Sequence, residues 1–394
     1  MKLDIQKFTL IDSGSLGRNS LIVGIIGLAL SLVGYFLNSG QFFHSYLVAY
    51  TFWLSIVLGA LFFVMLHHLV GAKWSIVMRR LAETVSQVMP LMAILFIPVI
   101  IGLPHLYEWS HKDIVADDKL LAGKAAYLNV AFFLIRAVVY FAVWIFLSRR
   151  LYKISLEQDS GFKPEQVRKF RVTSAPGIIA YAFTVTFAAF DWLMSLAPHW
   201  YSTIYGVYYF SGAVVGVLAL FIMAVYFLRR DNILSESITV EHYHDLGKLL
   251  FAFTIFWAYI AFSQYLLIWY ANIPEETIWY RNRWEGTWKA VSLIIVFGHF
   301  VVPFFILITR SAKRNPAFLA VMALWMFLMH WVDIYWLVVP SLHHGGAVIT
   351  WIDITAMAGI GGLFLWYFWR LFSARPLLAV GDPHLRESVE FINS

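Results

Sequence analysis

The stretch Phe190-Asp191-Trp192-Leu193-Met194-Ser195-Leu196-Ala197-Pro198-His199-Trp200-Tyr201-Ser202-Thr203-Ile204-Tyr205-Gly206-Val207-Tyr208-Tyr209 decides the fold class. It joins one strongly apolar segment, ending at about residue 196, to another that begins at about 203. Aromatic side chains crowd the break, as they do where lipid meets water. Asp191 falls within the last turns of the first segment, and an ionisable group kept in a hydrocarbon-spanning helix is a functional candidate by default.

Outward from this junction the pattern recurs. A span needs roughly 20 apolar residues. Ten such segments lie at about 20–37, 45–70, 84–107, 124–147, 174–196, 203–228, 246–271, 288–308, 315–338 and 346–373. The 394 residues are 61% hydrophobic and only 13% charged, the profile of a polytopic membrane protein rather than of soluble domains. The expected fold is therefore an all-α integral membrane protein of about ten transmembrane helices. It divides into a cytoplasmic N-terminal segment (1–19), a membrane domain (20–373) and a cytoplasmic tail (374–394). Asp4 and Asp12 in the leader favour an uncleaved first helix over a signal peptide.

The net charge of +6 raises the question of nucleic acid, and the placement of the basic residues answers it. They alternate with the spans: 21 Lys and Arg fall on the side of the chain ends and 6 on the other. Such asymmetry encodes topology and contact with anionic lipid, and it sets both termini in the cytoplasm. Cysteine is absent, which excludes covalent c-type haem, cysteine-ligated iron–sulfur clusters and disulfides within the chain.

The connections are too short for a soluble domain. The longest, 148–173, is basic and suits docking to a partner or headgroup, or simple solvation. Pro90, Pro98 and Pro104 should kink the third span, which then needs neighbours to satisfy the freed carbonyls. Gly212 with Gly216, and Ala358 with Gly362, have the four-residue spacing that permits close helix contact. Most of the 17 tryptophans read as an interfacial belt, among them Trp109, Trp200, Trp269, Trp279, Trp284, Trp288 and Trp351.

Two sets of residues can carry chemistry. In the outer half, Tyr181, Thr184 and Asp191 share a face of the fifth span. His330 and Asp333 share a face of the ninth, and Asp353 opens the tenth. The midplane and inner half hold Arg136, His299, His67, His68 and Glu83, with no counter-ion for Arg136 evident. Together these groups could line a proton route, because a carboxylate out of water holds its proton to higher pH and histidine titrates near neutrality. The plainer readings are an interhelical hydrogen bond for His299 and interfacial solvation for His67 and His68. Bis-histidine haem b needs two histidines at matched depth. With His330 read as outer, His299 as middle and His67 and His68 as inner, no matched pair is expected.

Phe190 to Thr203, with Ile273-Pro274-Glu275-Glu276, Arg281-Asn282-Arg283-Trp284 and His330-Trp331-Val332-Asp333-Ile334-Tyr335-Trp336, resembles the ActF-type membrane subunit of bacterial alternative complex III. That complex is a quinol:electron-acceptor oxidoreductase, and the subunit is a distant relative of the polysulfide reductase membrane subunit (NrfD-like) family. The resemblance extends over all ten spans. It implies two four-helix bundles, spans 2–5 and 6–9, flanked by the first and last helices. It implies as partners a larger paralogous NrfD-like subunit, multihaem cytochrome c subunits, an iron–sulfur protein and lipids. Haem c and iron–sulfur clusters would reside in those partners, and quinol oxidation in the paralogue. For this chain it implies a proton-translocation route, with a quinone or menaquinone as an optional ligand and no metal or covalent cofactor. The competing readings from the residues are a secondary transporter and a purely structural anchor. A transporter would be expected to show repeat symmetry and broken helices around its substrate, of which only the proline-rich third span gives a hint.

Overall fold

The structure, a computed structural model, describes residues 14–231 and 233–392. Most of the leader, with Lys2, Asp4, Lys7 and Asp12, and the last two residues lie outside that range. Among the described residues there is no strand, and ten helices are long and apolar enough to cross a membrane. These spans are Leu16–Leu37, Ser39–Val70, Ile76–Ile101, Val130–Asp159, Pro164–Leu196, Tyr205–Arg230, Val240–Ala271, Trp288–Leu307, Pro316–Ser341 and Trp351–Ser373, numbered 1 to 10 below. The chain is a multi-pass membrane protein. Its first span begins at Leu16, earlier than the hydropathy alone suggested.

Span 2 is the hub. It is apolar all round, as expected of a helix with neighbours on every side, and almost every residue from Gln41 to Met65 is buried. Asn38 caps its start by accepting from the Gln41 N–H at 3.0 Å, and Gly71 ends it in the left-handed conformation with φ 63°. Spans 2 to 5 pack together as one bundle and spans 6 to 9 as a second, joined where span 2 meets spans 6 and 9. Spans 1 and 10 pair with each other and lean on span 2.

That pairing rests on glycine, in a register different from the expected Ala358 and Gly362. Gly362 meets Gly24, and Gly359 meets Gly27; a Cβ on Gly362 would lie 2.4 Å from the Gly24 nitrogen, and one on Gly27 2.6 Å from the Gly359 nitrogen. Only backbone fits there, and close approach replaces the hydrophobic drive that is missing between helices in lipid.

Span 3 is broken as its prolines require, into Ile76–Ser86, Met89–Leu95 and Ile97–Ile101, with a short turn Leu103–Leu106 beyond. Span 2 donates to carbonyls beside the breaks: the Tyr50 hydroxyl to Met92 O at 3.0 Å and the Tyr46 hydroxyl to Leu95 O at 2.7 Å. One flank of span 3 still faces outward through Ile94, Ile97 and Ile101, so the segment is not wholly enclosed by the bundle.

The tail beyond Ser373 was expected only as a cytoplasmic extension, yet it folds back on the face that carries the chain ends. Arg79 bonds Asp382, Lys73 pairs with Glu387 at 2.7 Å, and the Ser388 hydroxyl donates to Trp74 O at 2.7 Å. The tryptophan belt is also thinner than expected. Trp269, Trp284 and Trp351 are exposed, whereas Trp109, Trp200, Trp279 and Trp288 are buried packing residues.

Candidate functional site

Three titratable side chains meet inside the second bundle. His330 and Asp333 project from one face of span 9, and His299 comes from span 8; their ligand-capable atoms all lie within 4.8 Å of one another. All three are buried to within 1% of completely. His299 lies eleven residues after Trp288 and His330 eleven residues before Ser341. At 1.5 Å per residue both are roughly 16 Å from the same membrane face, near mid-membrane. The depth mismatch read from the sequence is thus corrected: the two histidines are level.

Each neighbour has a definable task. Gly212 and Gly216 of span 6 make a notch for the His330 ring, since a Cβ at either would come within 2.9 Å of it. Phe52 of span 2 packs against the ring at 5.3 Å between centroids. Ser55 gives its hydroxyl proton to Phe52 O at 2.6 Å, so its oxygen accepts from His330 Nε2–H at 2.8 Å. This assigns the Nε2–H tautomer from the network and leaves a lone pair on Nδ1 facing the cluster. Asp333 accepts from the Tyr208 hydroxyl on one oxygen and from Trp257 Nε1 at 3.1 Å on the other. The Trp257 ring also lies on His299, with centroids 3.9 Å apart. Both ring nitrogens of His299, and His330 Nδ1, have no hydrogen-bond partner among the described residues.

Charge decides what the three groups can share. No Lys or Arg pairs with Asp333 among the described residues, so its ionised form would be an uncompensated charge at mid-membrane. A single proton, on the carboxyl or on either imidazole, makes the cluster neutral. A divalent cation held by one carboxylate and two neutral imidazoles would leave one net positive charge in the same dry place. One proton with three acceptors therefore fits better than a metal.

The other sequence candidates lie elsewhere and do not form a single outer pocket. Asp191 is in the first bundle, gripped by Arg136: Nε donates to Oδ2 at 2.8 Å and Nη2 to Oδ1 at 2.9 Å. Tyr140 adds a third hydrogen bond at 2.7 Å. Arg136 sits only six residues into span 4, nearer the outer end than the midplane-and-inner set in which the sequence placed it, and its guanidinium lies 3.9 Å over Tyr127. Asp353 caps span 10, taking hydrogen bonds from Thr350 N and Oγ1 at 2.7 and 2.9 Å, with Ser45 on its other oxygen at 2.6 Å. Tyr181 donates to Leu58 O, and Thr184 accepts from Trp144, so the expected polar thread consists of separate interhelical bonds.

On the face of the chain ends, Glu83 lies between Arg79 at 3.0 Å and Arg80 at 3.6 Å and accepts from Ser155 at 2.7 Å. His67 bonds the Ser75 hydroxyl at 2.7 Å, and His68 stacks on Phe170 at 3.8 Å. Both are buried, which replaces the reading of interfacial solvation. No hydrogen bond among the described residues joins this inner set to His299. The two sets do not make one continuous ladder.

Outside the spans, Arg283 lies 3.4 Å over Trp279 and donates to Trp336 O and Leu337 O, closing the end of span 9. His199 pairs with Asp118 at 2.5 Å and, with the Leu121 and Leu120 N–H groups, holds that carboxyl below the usual range. Sequence reasoning missed Ser55, Tyr208 and Trp257, since a lone Ser, Tyr or Trp in an apolar helix carries no signal of its partner. The Gly212 and Gly216 spacing was the available signal, read for helix contact and not for a histidine seat. Comparison with protein-family models finds no matching family, and comparison with curated proteins finds no match.

Proposed function

We propose that this chain is the ActF-type membrane subunit of a bacterial alternative complex III, and that its second bundle holds a proton-storage site made by His299, His330 and Asp333. The observation that carries the proton reading is the cluster itself: three acceptors at mid-membrane with, among the described residues, three unpartnered ring nitrogens and no fixed counter-charge. Protonatable residues kept at that depth mark proton relays more often than structure. The assignment to the complex rests on the resemblance in the motifs Phe190 to Thr203, Ile273 to Glu276, Arg281 to Trp284 and His330 to Trp336. Under this reading the subunit packs beside a paralogous quinol-oxidising subunit in the inner membrane, with both chain ends cytoplasmic. Multihaem cytochrome c and iron–sulfur partners would carry the electrons.

Asp333 is the hub of the site and Tyr208 its first link towards the face opposite the chain ends. The Arg136–Asp191 pair has the opposite character, a carboxylate with a permanent cation, and is assigned to holding the first bundle together. Asp333→Asn in the assembled complex tests the proposal: hydrogen-bonding shape is kept and titration removed. The expected result is intact assembly with a lowered proton-to-electron ratio or impaired turnover. Unchanged values of both would overturn it.

A further inference from the structure

Span 8 is not a continuous α-helix. Its bundle-facing residues Trp288, Ser292, Ile295, His299, Pro303 and Leu307 cover 19 residues in five steps, 307 minus 288. Five α-helical turns of 3.6 residues take about 18. The additional residue is absorbed by a π-helical turn at Ile295–Val301, and His299 lies inside it. Short π turns within α-helices are rare and tend to mark functional positions.

Three features hold that turn. Within it the Val302 N–H bonds Phe297 O, five residues back. The next donor in the series would serve Gly298 O, but residue 303 is proline and has no N–H. Trp325 of span 9 takes its place, donating Nε1–H to Gly298 O at 2.7 Å. Gly298 also lets span 9 come close: a Cβ there would be 2.7 Å from Met329 Sδ.

The carbonyls show what the indole contributes to the register. In an α register Val302 N–H would serve Gly298 O, and Pro303 would leave His299 O without a donor. In the π register Pro303 deprives Gly298 O, which Trp325 supplies, and the Phe304 N–H is left to serve both His299 O and Phe300 O. With the indole the two registers are short of the same number of donors; without it the π register is short of one more, and the ordinary advantage of the α turn returns. Removing the extra residue from the turn would rotate one half of span 8 by about 100° relative to the other and carry His299 off its seat.

We propose that Trp325 is a positioning residue for the His299–His330–Asp333 site, acting through Gly298 O to keep span 8 in the π register that delivers His299 to Asp333. The consequence for proton handling rests on the reading given above; the positioning itself does not. The test uses the full chain in lipid nanodiscs, with a solid-state NMR contact between the His299 ring nitrogens and the Asp333 carboxyl carbon as the readout. Replacing Trp325 by benzothienylalanine keeps the bicyclic shape and deletes only the N–H; Trp325→Phe is the companion variant. Loss of the contact in both variants, in a protein whose other interhelical contacts persist, is the expected result. Retention of the contact in the benzothienylalanine protein would overturn the proposal, whatever Trp325→Phe does, because ring packing alone would then hold His299. Loss of the contact in both variants together with an unchanged proton-to-electron ratio in Asp333→Asn would instead remove the proton reading and leave the positioning standing.

Discussion

Arg136→Met is the sharpest perturbation of the first bundle. The guanidinium makes two hydrogen bonds to the fully buried Asp191 carboxylate, a third to Tyr127 O at 2.9 Å, and stacks on Tyr127 and Phe132. Methionine fills much of the volume but leaves Asp191 without its counter-ion, with the Tyr140 hydroxyl still donating to it. Breaking one side of a buried pair costs about 3–5 kcal/mol, whereas replacing both sides by apolar groups of similar size is often neutral. Arg136→Met should therefore destabilise by about 3–5 kcal/mol, and Arg136→Met with Asp191→Leu by far less than the sum of the single changes, a coupling of about 3 kcal/mol. Reversible unfolding in mixed micelles, run as a double-mutant cycle, reads this directly. A single-variant cost under about 1 kcal/mol, or strict additivity, would refute the assignment of the pair to holding the bundle.

Other outcomes follow from the same geometry. Gly212→Ala places a methyl 2.9 Å from the His330 ring, which Ser55 and Phe52 fix from the other side; overpacking of this kind costs about 1–3 kcal/mol, and the Ser55–His330 hydrogen bond should weaken, as followed by histidine nitrogen shifts. The Asp118 carboxyl is held low in the folded protein, so its pairing with His199 contributes above the ordinary carboxylate range near 3.9 and is lost as pH falls through the lowered value. His199→Ala should move the Asp118 titration upward, measured by carboxyl carbon shifts; an unmoved titration would mean the pair does not form. A reporter active only outside the cytoplasm, fused after Ser394, should stay silent, and activity there would reverse the proposed orientation.

Span positions were legible because the cost of lipid is paid residue by residue, and apolar length alone locates them. The proline breaks of span 3 were legible for a similar local reason. The partners were not. Asp191 and Arg136 are 55 residues apart in sequence, and Ser55 and His330 are 275 apart. Nothing local distinguishes an aspartate that will meet a guanidinium from one that will meet two imidazoles. Depth was misjudged for a related reason: the π turn in span 8 and the late end of span 9 at Ser341 put His299 and His330 level. The glycine contacts of spans 1 and 10 were found one residue out at Gly359, because small residues sit side by side there and only the facing backbone selects among them.

The central claim is that Asp333 exchanges a proton within a neutral cluster and does not merely support span 9. The most direct measurement is the carbonyl infrared band of protonated carboxyls in the assembled complex during quinol turnover, comparing the native chain with Asp333→Asn. A turnover-dependent carboxyl band that disappears in Asp333→Asn, together with a fall in protons moved per electron, is the expected result. A native band that is absent or unchanged during turnover, with Asp333→Asn moving the native number of protons, would contradict it.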